Sequence, residues 1–135
     1  MIPEELIDAI CALLPRGRGG HRRRGADGAS AAAAMELLYR EGEVSPGEMA
    51  RVLDVSGPRV TALLADLEQR GFVTRLAAAD RRSRRAALTE AGRHFLEEKR
   101  AARRAHVAAV TAAVGRADAE AWLRILKAER ALEEQ

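Results

Sequence analysis

SPGEMARVLDVSGPRVTALLADLEQRGFVTR, residues 45–75, contains two short helical patterns separated by three residues. Ser45-Pro46-Gly47-Glu48 has the spacing of a capping box, with proline at the first helical position. The helix it starts carries Met49, Val52 and Leu53 as its inward residues. Asp54-Val55-Ser56 then reads as a turn, and Ser56 can cap a second helix with Pro58 in its first turn. Val60, Leu63, Leu64 and Leu67 recur at i, i+3, i+4 and i+7, which makes one buried stripe on that helix. Gly71 ends it. Two short helices joined by so tight a turn are the signature of a helix-turn-helix.

Working outward, Phe72-Val73-Thr74-Arg75 reads as a short strand, and Arg85-Ala86-Ala87-Leu88 as its returning partner. The stretch between them is too long for a tight hairpin and should project as a wing. Thr89 can cap a long helix over 90–114, closed by Gly115. A last helix over 118–133 sets Trp122, Ile125, Leu126 and Leu132 along one side. Upstream, Ser30 can cap a helix over 31–40 with Met35 and Leu38 inward, stopped by Gly42. The first helix, 3–14, carries Leu6, Ile7, Ile10, Leu13 and Leu14 on one face. The glycine- and arginine-rich stretch through Gly28 reads as a loop.

The expected architecture is mainly α with a minor β component: a winged helix-turn-helix flanked by N- and C-terminal dimerisation helices. The whole of 1–135 reads as one domain, with 30–92 the DNA-binding core and 1–15 and 93–135 the dimerisation helices. Composition points to the same arrangement. The apolar share is 47% but only 3% of residues are aromatic, and much of the apolar count is alanine, which buries little surface. A core this light draws support from a partner subunit, so a homodimer is expected.

The formal net charge is only +3, but the positive charge is concentrated. Arg70, Arg75, Arg81, Arg82, Arg84 and Arg85 stand against Asp80 alone in that stretch, and Arg16, Arg18, Arg22, Arg23 and Arg24 form a second cluster. Such local density suits a polyanion. The competing reading is a solvated arginine surface. Cys11 is the single cysteine, so no intrachain disulfide forms, which fits a reducing, cytoplasmic location. The acidic start Met1-Ile2-Pro3-Glu4-Glu5 is unlike a signal peptide, and no apolar run nears the roughly 18 residues that span a bilayer. No membrane partner is expected.

These motifs resemble the MarR family of transcription regulators. In that family the recognition helix ends in L-x-x-x-G-[LF]-[VI]-x-R, matched here by Leu67, Gly71, Phe72, Val73 and Arg75. The wing pattern D-x-R-x-x-x-x-x-L-T is matched by Asp80, Arg82, Leu88 and Thr89, and the glycine three residues on by Gly92. The resemblance implies a homodimer bound to an inverted repeat in double-stranded DNA, acting as a repressor and released by a small-molecule effector.

The candidate DNA-binding residues follow from their positions. Ser56, Pro58, Arg59, Thr61 and Ala62 lie on the first turns of the second helix-turn-helix helix, away from its leucine stripe, together with Asp66. Arg59 can present two donors to guanine, while Ser56 and Thr61 can bond a phosphate or a base. Arg82, near the wing tip, has the long planar cation that suits a narrow minor groove. Asp80 would pair with Arg82 or a neighbour and shape the wing. Arg70, Arg75, Arg81, Arg84 and Arg85 are candidate phosphate contacts, with internal pairing of one or more of them the alternative.

Cys11, beside Ile7 and Ile10, reads as a buried inert thiol rather than a peroxide sensor. His21, His94 and His106 offer no ligand pair on one helical turn, so no metal site is expected. Trp122 anchors a light core or lines an effector cavity. The chain has no glycine-rich phosphate loop, no Cys/His metal spacing and no G-x-S-x-G elbow, so no catalytic residue, cofactor or enzyme activity is expected. The rival class is a winged-helix protein-interaction module. A PadR-like regulator is a second alternative, and the D-x-R wing argues against it.

Overall fold

The computed structural model describes residues 1–14, 29–77 and 84–135. The basic loop and the tip of the wing, with Asp80, Arg81 and Arg82, lie outside the described residues. The chain divides into two compact units, one of Arg16–Glu97 and one of Met1–Pro15 with Glu98–Gln135.

The first unit holds α2 (Ala29–Glu41), β1 (Glu43–Val44), α3 (Pro46–Leu53), α4 (Gly57–Gln69), β2 (Val73–Arg75), β3 (Ala86–Leu88) and the opening turns of α5 (Glu90–Val114). Its core is the expected stripe of α4 (Val60, Leu64 and Leu67) packed with Ala34, Met35, Leu37, Leu38, Met49, Val73 and Leu96. Each large aliphatic side chain fully removed from water contributes about 1.5–3 kcal/mol. Three sequence expectations need correction here. Helix α2 begins at Ala29, so Ser30 lies within the helix rather than at its cap. Val52, expected inward, is 51% exposed; Leu53 packs against the core as expected, and Ala50 joins it.

The third correction concerns the sheet, which has three strands in the order β1-β3-β2, all antiparallel, rather than two. Val44 pairs with Ala86 on one edge of β3, and Arg75 pairs with the same Ala86 on the other. A two-residue strand shows no alternation in sequence. Its burial pattern, Glu43 exposed and Val44 buried, shows only in the fold.

The junction from sheet to α5 explains the spacing of Thr89 and Gly92. Thr89 donates its backbone N–H to the Phe72 carbonyl at 3.0 Å. Its hydroxyl donates to the Gly71 carbonyl at 2.5 Å and accepts the Gly92 N–H at 3.0 Å, which caps α5 as expected. A Cβ on Gly92 would lie 2.1 Å from the Phe72 carbonyl oxygen, so only glycine lets the helix start this close to the strand. The Phe72 and Phe95 rings stack beside it at 4.6 Å.

The second unit holds α1 (Glu4–Leu13), the remainder of α5, and α6 (Arg116–Glu133). Ile7, Ile10, Val107, Ala119 and Leu126 form its core, with Leu6, Trp122 and Leu123 packed against them. The buried Thr111 hydroxyl donates to the Val107 carbonyl one turn back at 2.9 Å, so no polar group is stranded there. Arg104 pairs with Glu4 at 2.7 Å and Asp8 at 3.3 Å, and Arg103 donates to the Leu14 carbonyl. Helix α6 starts at Arg116, two residues earlier than expected. Leu126 is buried, but Ile125 is 59% and Leu132 69% exposed, so these two do not join the core as expected. Val114 is exposed as well. Among the described residues, no helix is long and apolar enough to cross a membrane.

Candidate nucleic-acid interface

The helix-turn-helix is built by two serine caps and one left-handed turn. The Ser45 hydroxyl oxygen accepts the Glu48 N–H at 3.1 Å and starts α3. Asp54, at φ 57°, ends α3 in the left-handed conformation that aspartate tolerates better than most residues. Val55 then donates back to the Ala50 carbonyl at 3.1 Å and packs against the core. The Ser56 hydroxyl oxygen accepts the Arg59 N–H at 3.2 Å and starts α4.

This geometry defines what the first turns of α4 can offer. Ser56 uses its oxygen to cap the helix, so its hydroxyl proton is the group left to donate. Thr61 donates its own proton to the Gly57 carbonyl at 3.1 Å and keeps its lone pairs for accepting. Pro58, Thr61 and Ala62 are exposed, and Arg59 is half-buried. The apolar surfaces of Pro58 and Ala62 suit contact with a thymine methyl. The N-terminus of α4 also carries the partial positive charge of the helix dipole, which favours a phosphate.

The structure separates the arginines that the sequence had grouped. Arg70 pairs with Asp66 at 3.0 Å one turn back on α4, and Asp66 is half-buried rather than on the open face. Arg75 donates to the Arg84 carbonyl at 2.9 Å across the root of the wing. Arg85 donates to the Glu43 carbonyl at 3.0 Å, with its guanidinium 3.7 Å from the Glu43 carboxylate and 3.6 Å from that of Glu48. Internal pairing thus takes up three of the candidate phosphate contacts. Among the described residues, the guanidinium groups of Arg51, Arg59 and Arg84 make no ion pair. Arg51, exposed in the last turn of α3, is a further candidate that apolar periodicity does not single out.

The remaining candidates fall elsewhere. His94 and His106 are exposed, and His21 lies outside the described residues. Among the described residues, no three His, Cys, Asp or Glu side chains cluster as a metal site would require. Cys11 is half-buried, and burial raises its thiol pKa, opposed by Arg103 and Arg104. Tyr39 donates its hydroxyl to Glu97 at 3.1 Å, and the Arg93 guanidinium lies 5.3 Å from its ring centre.

The MarR family model matches residues 28–83. Transcriptional regulator Tm0710 from Thermotoga maritima is 29% identical, with 97% of this chain and 93% of that chain covered and a TM-score of 0.61. The MarR family transcriptional regulator SPO1453 from Silicibacter pomeroyi is 28% identical over 78% of this chain and 73% of its own, at a TM-score of 0.55. A MarR family protein from Bacillus stearothermophilus, 24% identical, shares the fold at a TM-score of 0.63 across 98% of this chain and 93% of that one. No curated protein matches. Residues 28–83 thus match the MarR family model, and the fold is shared along nearly the whole chain with Tm0710.

Proposed function

We propose that this chain is a cytoplasmic transcription regulator that binds double-stranded DNA as a homodimer and represses from an inverted-repeat operator. The observation that carries this reading is the first turn of α4. There Ser56 caps the helix, Arg59 has no ionic partner among the described residues, and Pro58, Thr61 and Ala62 stand open. Arg59 reads a guanine edge in the major groove, and Ser56 donates to a phosphate. Arg51 and Arg84 join the phosphate contacts. Arg82, with Asp80 and Arg81 beside it, serves the minor groove from the wing.

Exposed Val114, Ile125 and Leu132 on the unit of terminal helices support a second copy as the partner. Two-fold symmetry then sets the recognition helices about 34 Å apart, in successive major grooves. Release by a small-molecule effector completes the regulatory cycle. That step rests on likeness to the MarR family, whose model matches residues 28–83 and to which SPO1453 is ascribed. The test is selection of bound duplexes from a random pool. A palindromic consensus with half-sites one helical turn apart is expected. Failure to retain any duplex at low salt would leave the protein-interaction reading in its place.

A further inference from the structure

We propose that Arg85 is a positioning residue that sets the angle of the wing against α3, and that it contacts no phosphate. This inference rests on the DNA-binding reading above. Three elements meet at this residue. Its own strand, β3, begins at the next residue, and its carbonyl accepts the Leu76 N–H at 2.8 Å, closing the root of the wing from the β2 side. Its guanidinium reaches the other way, donating to the Glu43 carbonyl of β1 at 3.0 Å. The same group lies 3.6 Å from the carboxylate of Glu48, in the first turn of α3. Its backbone is thus bonded on the β2 side, while its planar cation ties β1 to the start of the helix-turn-helix. Two carboxylates beside it would also repel a phosphate approaching the same guanidinium. Arg75 makes the matching bond from β2 to the Arg84 carbonyl at 2.9 Å.

A strut and a phosphate contact differ in how binding depends on salt. Each phosphate neutralised contributes about 0.9 to the slope of log affinity against log salt concentration. The experiment titrates a labelled duplex with wild-type, Arg85→Ala, Arg85→Lys and Arg59→Ala proteins from about 50 to about 250 mM KCl. Affinity is referred to the active folded fraction, so a change in stability alone does not register. The strut predicts that Arg85→Ala binds roughly three- to tenfold more weakly with the wild-type slope, because a partly exposed charged hydrogen-bond set is lost. It also predicts that Arg85→Lys, with one compact ammonium, cannot span the Glu43 carbonyl and both carboxylates and stays weaker than wild type. Arg85→Lys keeps the charge and stem and carries the test by itself where the alanine variant folds poorly. A shallower slope for Arg85→Ala, full recovery with lysine, or no loss in either variant overturns the proposal. Arg59→Ala marks the boundary between the two readings. If it leaves affinity unchanged, the assignment of α4 to DNA fails, whatever Arg85 does.

Discussion

Gly92→Ala sets two well-defined effects against each other. Alanine in a helix is favoured over glycine by about 0.8–1.0 kcal/mol, and less in a first turn. By propensity alone the variant should be more stable. The structure argues the reverse, because the new Cβ would sit 2.1 Å from the Phe72 carbonyl oxygen and 2.9 Å from its carbonyl carbon. Those atoms are backbone and cannot rotate away. Relief requires α5 to move off β2 by more than an ångström. That strains the Thr89-to-Phe72 and Gly92-to-Thr89 hydrogen bonds, each 3.0 Å long. Overpacking of this kind costs about 1–3 kcal/mol, and each hydrogen bond lost adds about 1 kcal/mol. A net destabilisation of about 2 kcal/mol lowers Tm by roughly 5–10 °C for a chain of this size. Thermal melts followed by circular dichroism, at one fixed protomer concentration, measure it. Gly47→Ala is the control, since a Cβ there meets nothing within 4 Å. It should melt at or slightly above wild type. A Gly92→Ala protein that melts with or above wild type would refute the close approach as the reason for glycine.

Four further outcomes follow from the site and the terminal helices. Arg59→Ala should weaken duplex binding by about 1–3 kcal/mol, measured by anisotropy; unchanged affinity removes it from the interface. Arg82→Ala should do the same from the wing, and unchanged affinity would place that residue off the DNA. Ile125→Glu should convert a dimer to a monomer in sedimentation velocity, and an intact dimer would exclude its exposed face from the contact. Cys11, its pKa raised by burial, should alkylate more slowly in the folded chain than in urea near neutral pH. Because the folded value is the higher one, its contribution to stability is present below the unfolded thiol pKa and lost as pH rises through the folded one. Faster alkylation in the folded state would contradict that direction.

The long apolar stripes made the helices legible. Val60, Leu63, Leu64 and Leu67 leave a helix little choice of face, and all four are buried. Ser45, Ser56 and Thr89 were readable as caps because capping is local, fixed by residues three apart. Elements whose partners lie far along the chain were not. Strand β1 has two residues and exists by pairing with β3, more than forty positions on. Val52, Ile125 and Leu132 were turned inward because periodicity registers apolar character without registering what remains to cover it. The arginines show the same limit. Charge density near the wing was plain, but Glu43 and Glu48 lie far from Arg85 in sequence, and their claim on it appears only in three dimensions.

The double pairing of β3 has a practical consequence for redesigning this protein. Ala86 is paired from both sides, with Val44 and with Arg75, so pairing within the sheet itself sets the alignment of the three strands. Segment 78–83 can therefore be exchanged for those of MarR family proteins, or randomised, as a cassette. Such grafts should retain the parent melting temperature, which makes that segment the natural place to diversify a library.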